Sequence, residues 1–279
     1  MTRLFGVIGH PIGHSLSPAM QTAALRALGV DAIYSPFDVP PRFLRPILRA
    51  LVLAGVEGLN VTVPLKEAVL PLLDRLEDDA RAIGAVNTIL VRNRRLTGCN
   101  TDAKGCSLAL RELGWRAPSS HVVLLGAGGA ARAVAWALAS GGIRRLTIAN
   151  RHQARAHQLA RWVSRLFPRL KAAAVSLARV PLEEVDLLVN ATTVGMRASD
   201  QAPISLRGLQ RRTLVYDLVY QRETPLVLAA RRRGCVAANG RSMLLYQGAE
   251  SLRLWLQRPP PIAVMRRALE GAMSVQGKR

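Results

Sequence analysis

Lysine is scarce in this chain of 279 residues: only Lys66, Lys104, Lys171 and Lys278 stand among 39 basic residues. Acid is scarce too, with 18 Asp and Glu, so the formal net charge is +21. Such a balance can mark a nucleic-acid or acidic-membrane surface. Here the arginines are scattered along the whole chain and not gathered in a tail, which favours a composition bias. Where a plain positive charge suffices, the chain uses arginine. A retained lysine then points to a place where a compact, titratable amine is needed, and Lys66 is one of four such residues. Cysteine is limited to Cys99, Cys106 and Cys235, without a CxxC pair, which reads as free thiols in a reducing cytoplasm. The five histidines show no ligand spacing with them, so no metal site is expected. No apolar run approaches the roughly 20 residues that span a bilayer. The start has no signal-peptide apolar region. The expectation is a cytoplasmic protein without a membrane partner.

What is present is a feasible core, since apolar residues make up 49% of the chain. The N-terminal part alternates strands and helices. Strands are predicted at 4–9, 32–39 and 58–63, and a hairpin at 86–92 and 96–99. Helices are predicted from Ser17 to about Gly29, at 41–54, from Pro64, and at 74–83, with Ser17 as N-cap and Pro18 at N1. This rhythm predicts an α/β substrate domain with a mostly parallel sheet. A helix from Asp102 to Gly114 leads to the second unit, and Ala117-Pro118-Ser119-Ser120 is the clearest linker. Strands follow at 121–125, 146–149, 185–190, 214–218 and 235–238, with a helix at 131–140. After Gly240 the pattern is helical, at 242–257 and 262–273, with a frayed tail from Ser274. The predicted division is 1–101, completed by 241–279, and 102–240.

The turn Gly126-Ala127-Gly128-Gly129-Ala130-Ala131 directly follows an apolar strand and opens a helix, the context a dinucleotide fingerprint requires. Gly126 permits the tight turn, Gly128 lets backbone approach a pyrophosphate, and Ala131 allows close helix–strand packing. The helix N-terminus adds free N–H groups and partial positive charge. The second unit is therefore read as a Rossmann-type doubly wound domain.

The following strand selects the nucleotide. About 20 residues after the turn an NAD enzyme places an acid on the ribose. This chain has Asn150-Arg151-His152 there, with Arg155 one helical turn on. Two guanidiniums suit a 2′-phosphate, which a carboxylate would repel. NADP is favoured over NAD. The other reading, two more arginines in an arginine-rich chain, stays open at this point.

At the substrate end, the hydroxyls of Ser15 and Ser17 sit at a strand-to-helix turn and suit a small carboxylate, or Ser17 is a plain N-cap. Asn60, Thr62, Asn87 and Asn100 fall at strand ends or beside turns, where their side chains can read ring hydroxyls. Lys66 and Asp102 are the catalytic candidates. A ketone that becomes an alcohol needs a proton at oxygen as hydride arrives at carbon. Desolvation lowers a lysine pKa and a nearby carboxylate raises it. A buried structural ion pair is the alternative.

Together the motifs resemble the shikimate dehydrogenase family over almost the whole chain. They are G-H-P-I-G-H-S-L-S-P from Gly9, N-V-T-V-P-L-K from Asn60, A-V-N-T from Ala85, and G-C-N-T-D from Gly98. G-A-G-G-A-A-R from Gly126, A-N-R from Ala149, N-A-T-T-V-G-M from Asn190, Y-D-L-V-Y from Tyr216 with T-P-L from Thr224, and Y-Q-G-A from Tyr246 follow in the same order. The resemblance implies NADPH-dependent reduction of 3-dehydroshikimate to shikimate, in aromatic amino-acid biosynthesis. It implies carboxylate binding by Ser15 and Ser17, with Tyr220 nearby. Hydroxyl binding falls to Thr62, Asn87, Asp102 and Gln247, and Lys66 paired with Asp102 is the proton donor or acceptor. NADP would be held by Gly126, Ala127, Gly128, Gly129, Ala130, Asn150, Arg151, Arg155, Leu218 and Gly240, with Asp78 near the cofactor. It also implies that the C-terminal helices pack on the N-terminal domain, as a monomer or a homodimer.

Leu65 stands where many members have histidine, and N-G-R-S-M (239–243) replaces the usual D-G-L-G-M. His152 stands where the family has threonine, so an imidazole takes the place of one phosphate contact. The rivals are a quinate/shikimate paralogue with broader substrate or NAD use and, more remotely, a basic nucleic-acid-binding protein on a dinucleotide fold.

Overall fold

The computed structural model describes residues 2–118 and 120–276. It divides into two compact units, residues 1–105 with 244–279, and residues 106–243. Both divisions fall inside helices and not at 117–120, of which Ser119 lies outside the described residues.

In the first unit the order is β1 (Arg3–Gly9), α1 (Ser17–Ala27), β2 (Ala32–Asp38), α2 (Leu44–Leu53), β3 (Val56–Val61) and α3 (Leu65–Ala68). It continues with β4 (Arg75–Leu76), α4 (Asp78–Ile83), β5 (Thr88–Arg92), β6 (Arg95–Cys99) and the first turn of α5 (Asp102–Glu112), whose residues from Cys106 on belong to the second unit. The sheet order is β2-β1-β3-β5-β6-β4. β1 pairs in parallel with β2 and β3, and β4 with β6, while β5 runs antiparallel to both β3 and β6. The sheet is thus mixed: the tight β5–β6 hairpin is antiparallel by construction, and β5 also enters antiparallel to β3. α2 lays Leu44, Leu48 and Leu51 on a core shared with Leu59, Leu65 and Ile89.

Several local expectations are corrected. Ser17 does not cap α1: Leu16 is the N-cap and Ser17 is the first helical residue. The hydroxyl of Ser15 does the nearest equivalent, accepting from the Ser17 N–H at 3.3 Å. The predicted helix 41–54 begins as a 3₁₀ turn at Pro41–Phe43. The predicted helix 74–83 is split, because residues 75–76 pair with β6 before α4 starts.

The second unit contains β7 (His121–Leu125), α6 (Gly129–Ser140), β8 (Arg145–Ala149), α7 (Gln153–Leu166), β9 (Lys171–Val175), β10 (Leu187–Asn190), β11 (Leu214–Asp217), α8 (Pro225–Arg232) and β12 (Ala237–Asn239). Its sheet runs β12-β11-β10-β7-β8-β9 with every pairing parallel. Chain order reverses between β7 and β10, the point where a doubly wound sheet opens a ligand crevice. β7 has no exposed residue, as a strand covered on both faces requires. The last strand begins at Ala237, two residues later than expected.

α9 (Arg241–Leu256) and α10 (Ile262–Gln276) close the chain. α10 packs on α1. No fraying starts at Ser274: the helix continues to Gln276, and residues 277–279 lie outside the described residues.

Candidate active site

In the first unit, two strand ends and a helix start bring the sequence candidates together. α3 opens directly after the turn that follows β3, and Lys66 is its second residue. Asp102 is the first residue of α5, just beyond β6. The Lys66 ammonium donates to Asp102 Oδ2 at 2.5 Å. Their side chains are 14% and 6% exposed, so water screens the pair weakly. The other carboxylate oxygen, Oδ1, accepts from the amide of Asn87 at 2.9 Å. That same amide reaches Gln247 Oε1 at 3.1 Å, bringing α9 into the group. Asn87 is held in turn, its Oδ1 accepting the backbone N–H of Thr101 at 2.7 Å.

A second layer lies beneath. Thr88 Oγ1 is 2.8 Å from Ser251 Oγ, and Asn60 donates to that same hydroxyl at 2.9 Å. Tyr34 donates to Asn60 Oδ1 at 2.7 Å. Asn60, Asn87, Thr88, Thr101 and Ser251 are all buried. Buried polar groups that satisfy one another hold a single arrangement. Tyr34, Thr88, Thr101 and Ser251 were not singled out from sequence. Their partners are up to 191 residues distant, and no local pattern announces such pairings.

Thr62 is half-buried at the end of β3, and its carbonyl accepts from Leu65 N–H at 2.8 Å, which sets the entry to α3. Ser15 is half-buried and Ser17 buried at the start of α1. Asn100 is engaged structurally: it donates to Ala85 O at 2.9 Å, and its Oδ1 accepts from Ala103 N–H. Asp78 is exposed at the first position of α4 and has no bond to the Lys66 network among the described residues. It belongs to the first unit, whereas the other cofactor candidates belong to the second; Tyr220 likewise belongs to the second, apart from the other substrate candidates in the division of the chain.

In the second unit the glycine turn sits at the switch point. Gly126 has φ +109°, a conformation that suits glycine. A Cβ on Gly126 would meet Ala191 O at 2.9 Å, so backbone from the end of β10 closes one side. Gly128, the N-cap of α6, differs: a Cβ there meets nothing within 4 Å. The protein's own packing does not require glycine at 128, whereas a pyrophosphate lying on the helix N-terminus does. Beyond β8, Arg151, His152 and Arg155 are exposed, and Asn150 donates to His152 O at 3.0 Å. Neither guanidinium has a partner among the described residues. The residues present thus fit a phosphorylated dinucleotide.

The strand ends of β11 and β12 meet beside it. Leu218 N–H donates to Asn190 O at 2.8 Å, and a Cβ on Gly240 would collide with the Leu218 backbone. Asp217 was missed by sequence reasoning. It is fully buried and accepts from Asn190 at 2.9 Å, Val219 N–H at 3.0 Å and Thr224 at 2.7 Å. Burial raises its pKa, while these donors oppose the rise. The Tyr220 phenol is pushed up to about 12 by burial.

Family models match three stretches of the chain. Residues 7–89 match the shikimate dehydrogenase substrate binding domain, 107–217 match shikimate / quinate 5-dehydrogenase, and 240–270 match the shikimate 5'-dehydrogenase C-terminal domain. A curated relative from Rubrobacter xylanophilus, shikimate dehydrogenase (NADP(+)), is 47% identical over 97% of this chain and 96% of its own. The chain belongs to the shikimate dehydrogenase family. Among solved structures, a shikimate dehydrogenase in complex with NADP+ superposes with a TM-score of 0.91 at 35% identity, covering 98% of this chain and 96% of that one. Another from Thermus thermophilus, in complex with NADP(H) and shikimate, has a TM-score of 0.88 at 39% identity, over 97% of this chain and 100% of that one. In this family the mixed sheet of the first unit and the parallel sheet of the second are the two-domain fold, and the nucleic-acid reading is not favoured.

Proposed function

We propose that this shikimate dehydrogenase family member catalyses the reversible, NADPH-dependent reduction of 3-dehydroshikimate to shikimate. The carrying observation is the nearly buried pair of Lys66 and Asp102, 2.5 Å apart and tied to Asn87 and Gln247. A lone ion pair supports structure as well as chemistry. This one is joined to neutral amides that suit ring hydroxyls, and the curated relatives carry the same activity in their names.

A dinucleotide held at the Gly126–Ala130 turn would supply the hydride for the carbonyl carbon. Lys66 gives its proton to the carbonyl oxygen as the C=O π bond breaks, so no free alkoxide forms. Asp102 keeps the ammonium oriented and accepts from an adjacent ring hydroxyl. Asn87, Gln247 and Thr62 read the remaining hydroxyls, and an analogue lacking one leaves a buried group unpaired. Ser15 and Ser17 hold the substrate carboxylate, with Tyr220 assigned beside it. In the second unit, Gly126–Ala130 cradle the pyrophosphate. Asn150, Arg151, His152 and Arg155 take the adenosine end, and Leu218 and Gly240 complete the pocket. Asp78 is assigned near the cofactor. The cytoplasm is the location this reading assigns. Among the described residues no helix is long and apolar enough to cross a membrane.

The deciding experiment is NADP+ reduction followed by absorbance with shikimate, then quinate, each repeated with NAD+. Turnover with shikimate and NADP+ at far higher kcat/KM than the other combinations is expected. Preference for quinate or NAD+ would replace this reading with the broader paralogue.

A further inference from the structure

The first unit carries a groove of about 530 Å³ that none of the candidate site residues lines. α2 forms one wall, the segment 71–74 another, and the β5–β6 hairpin the third. Its floor is aliphatic, with Leu48 buried and Leu72 half-buried. Its rim is cationic: Arg45 and Arg49, one turn apart on α2, and Arg94 at the hairpin tip. None of the three has a hydrogen-bond or ion-pair partner among the described residues. The single carboxylate in the lining, Asp74, is already engaged, accepting from Leu96 N–H at 2.7 Å.

Arg94 is the telling residue. Asn93 and Arg94 have φ of 52° and 58°, the left-handed pair of a tight hairpin turn. Such a turn prefers Asn-Gly, because glycine adopts this conformation without steric cost. This chain places a guanidinium there, on the rim of the groove. Composition bias scatters arginines over open surface; it does not by itself put one at a strained position above an apolar floor.

We propose that this groove is a binding site for a small carboxylate with an apolar body, for which 2-naphthoate is the probe. Three guanidiniums against one committed acid leave an excess of positive charge that an anion neutralises, and guanidinium pairs with carboxylate in a two-pronged fashion. The aliphatic floor calls for an apolar body, since an inorganic anion would leave it uncovered. The volume falls within the roughly 300–1,000 Å³ of small-molecule sites. The site is separate from the Lys66 network and does not depend on the proposed reaction.

The test is isothermal titration calorimetry of the full chain with 2-naphthoate, in the presence of saturating shikimate and NADPH, both reduced, so that the reaction site is filled without turnover. Its neutral isostere 2-naphthamide is titrated alongside. One-site binding of naphthoate is expected, weakened about tenfold by Arg94→Gly and further by Arg45→Ala with Arg49→Ala, with the amide at least about tenfold weaker. Arg94→Gly relieves the left-handed strain, so its melting temperature stays level or rises and lost binding is not lost folding. The α2 double variant changes exposed side chains only and repeats the test independently. No heat with naphthoate at millimolar concentration, equal affinity for acid and amide, or unchanged affinity in both variants would overturn the proposal.

Discussion

The two candidate sites are built on opposite plans. In the first unit the candidate side chains are buried or nearly so and bonded to one another: Lys66 to Asp102, Asp102 to Asn87, Asn87 to Gln247. In the second unit the cradle is backbone, around Gly126 and Gly128, and the charged groups Arg151 and Arg155 stand exposed without partners among the described residues. Proton transfer needs an acid fixed to within a fraction of an ångström, so its surroundings are organised beforehand. A phosphate is a large, symmetrical charge that flexible guanidiniums can reach, and backbone N–H groups at a helix start are already in place.

The sharpest way to break this contrast is Lys66→Ala. It is expected to lower kcat by about 10²–10⁴, as loss of a general acid does, with KM for shikimate little changed. Steady-state kinetics check it, and an unaltered kcat would remove Lys66 from the chemistry. Asp102→Asn comes next: loss of a charge-assisted partner should cost about tenfold in both kcat and KM, whereas a purely structural acid would show in the melting temperature alone. For the second unit, Arg151→Ala is expected to raise KM for NADPH about tenfold and leave KM for NADH unmoved. Equal effects on the two cofactors would show that the arginine does not read the 2′-phosphate. Gly128→Ala has room for its methyl, so the melting temperature should hold while dinucleotide affinity falls severalfold by fluorescence titration.

The smallest effect concerns pH. His121 is buried in β7, its ring nitrogens bonded to Glu184 O and Thr147. Burial holds its pKa below the ordinary value, with the Glu184 hydrogen bond partly opposing. The unfolded chain therefore binds the proton more readily, so this contribution to stability is present above about pH 6.5 and lost as pH falls below it. Melting curves at pH 7.5 and 5.5 should show the loss, and His121→Asn should reduce it.

Legibility in the sequence followed the same divide. β7 and the glycine turn were readable because an apolar run, glycines and a helix follow in a fixed local order. α8 was not predicted, although its signal was present: Thr224 caps it, accepting from Val227 N–H at 3.3 Å, and Pro225 opens it. β9 had no such signal. Lys-Ala-Ala-Ala-Val has weak strand preference, and it is a strand because β8 offers it an edge. The pair Lys66 and Asp102 was legible as motif, but the second layer of Tyr34, Thr88 and Ser251 was not, since tertiary pairing alone assembles it.

Ser251 and Trp255 lie near the end of the chain yet complete the first unit, the hydroxyl bonded to Thr88 and the indole to Ile89 O. A ribosome therefore releases the residues of the second unit before the first can close. A messenger cut short after residue 243 would yield a nucleotide-binding half beside an unfinished partner, its Asn60 amide and Thr88 hydroxyl stripped of their Ser251 contact.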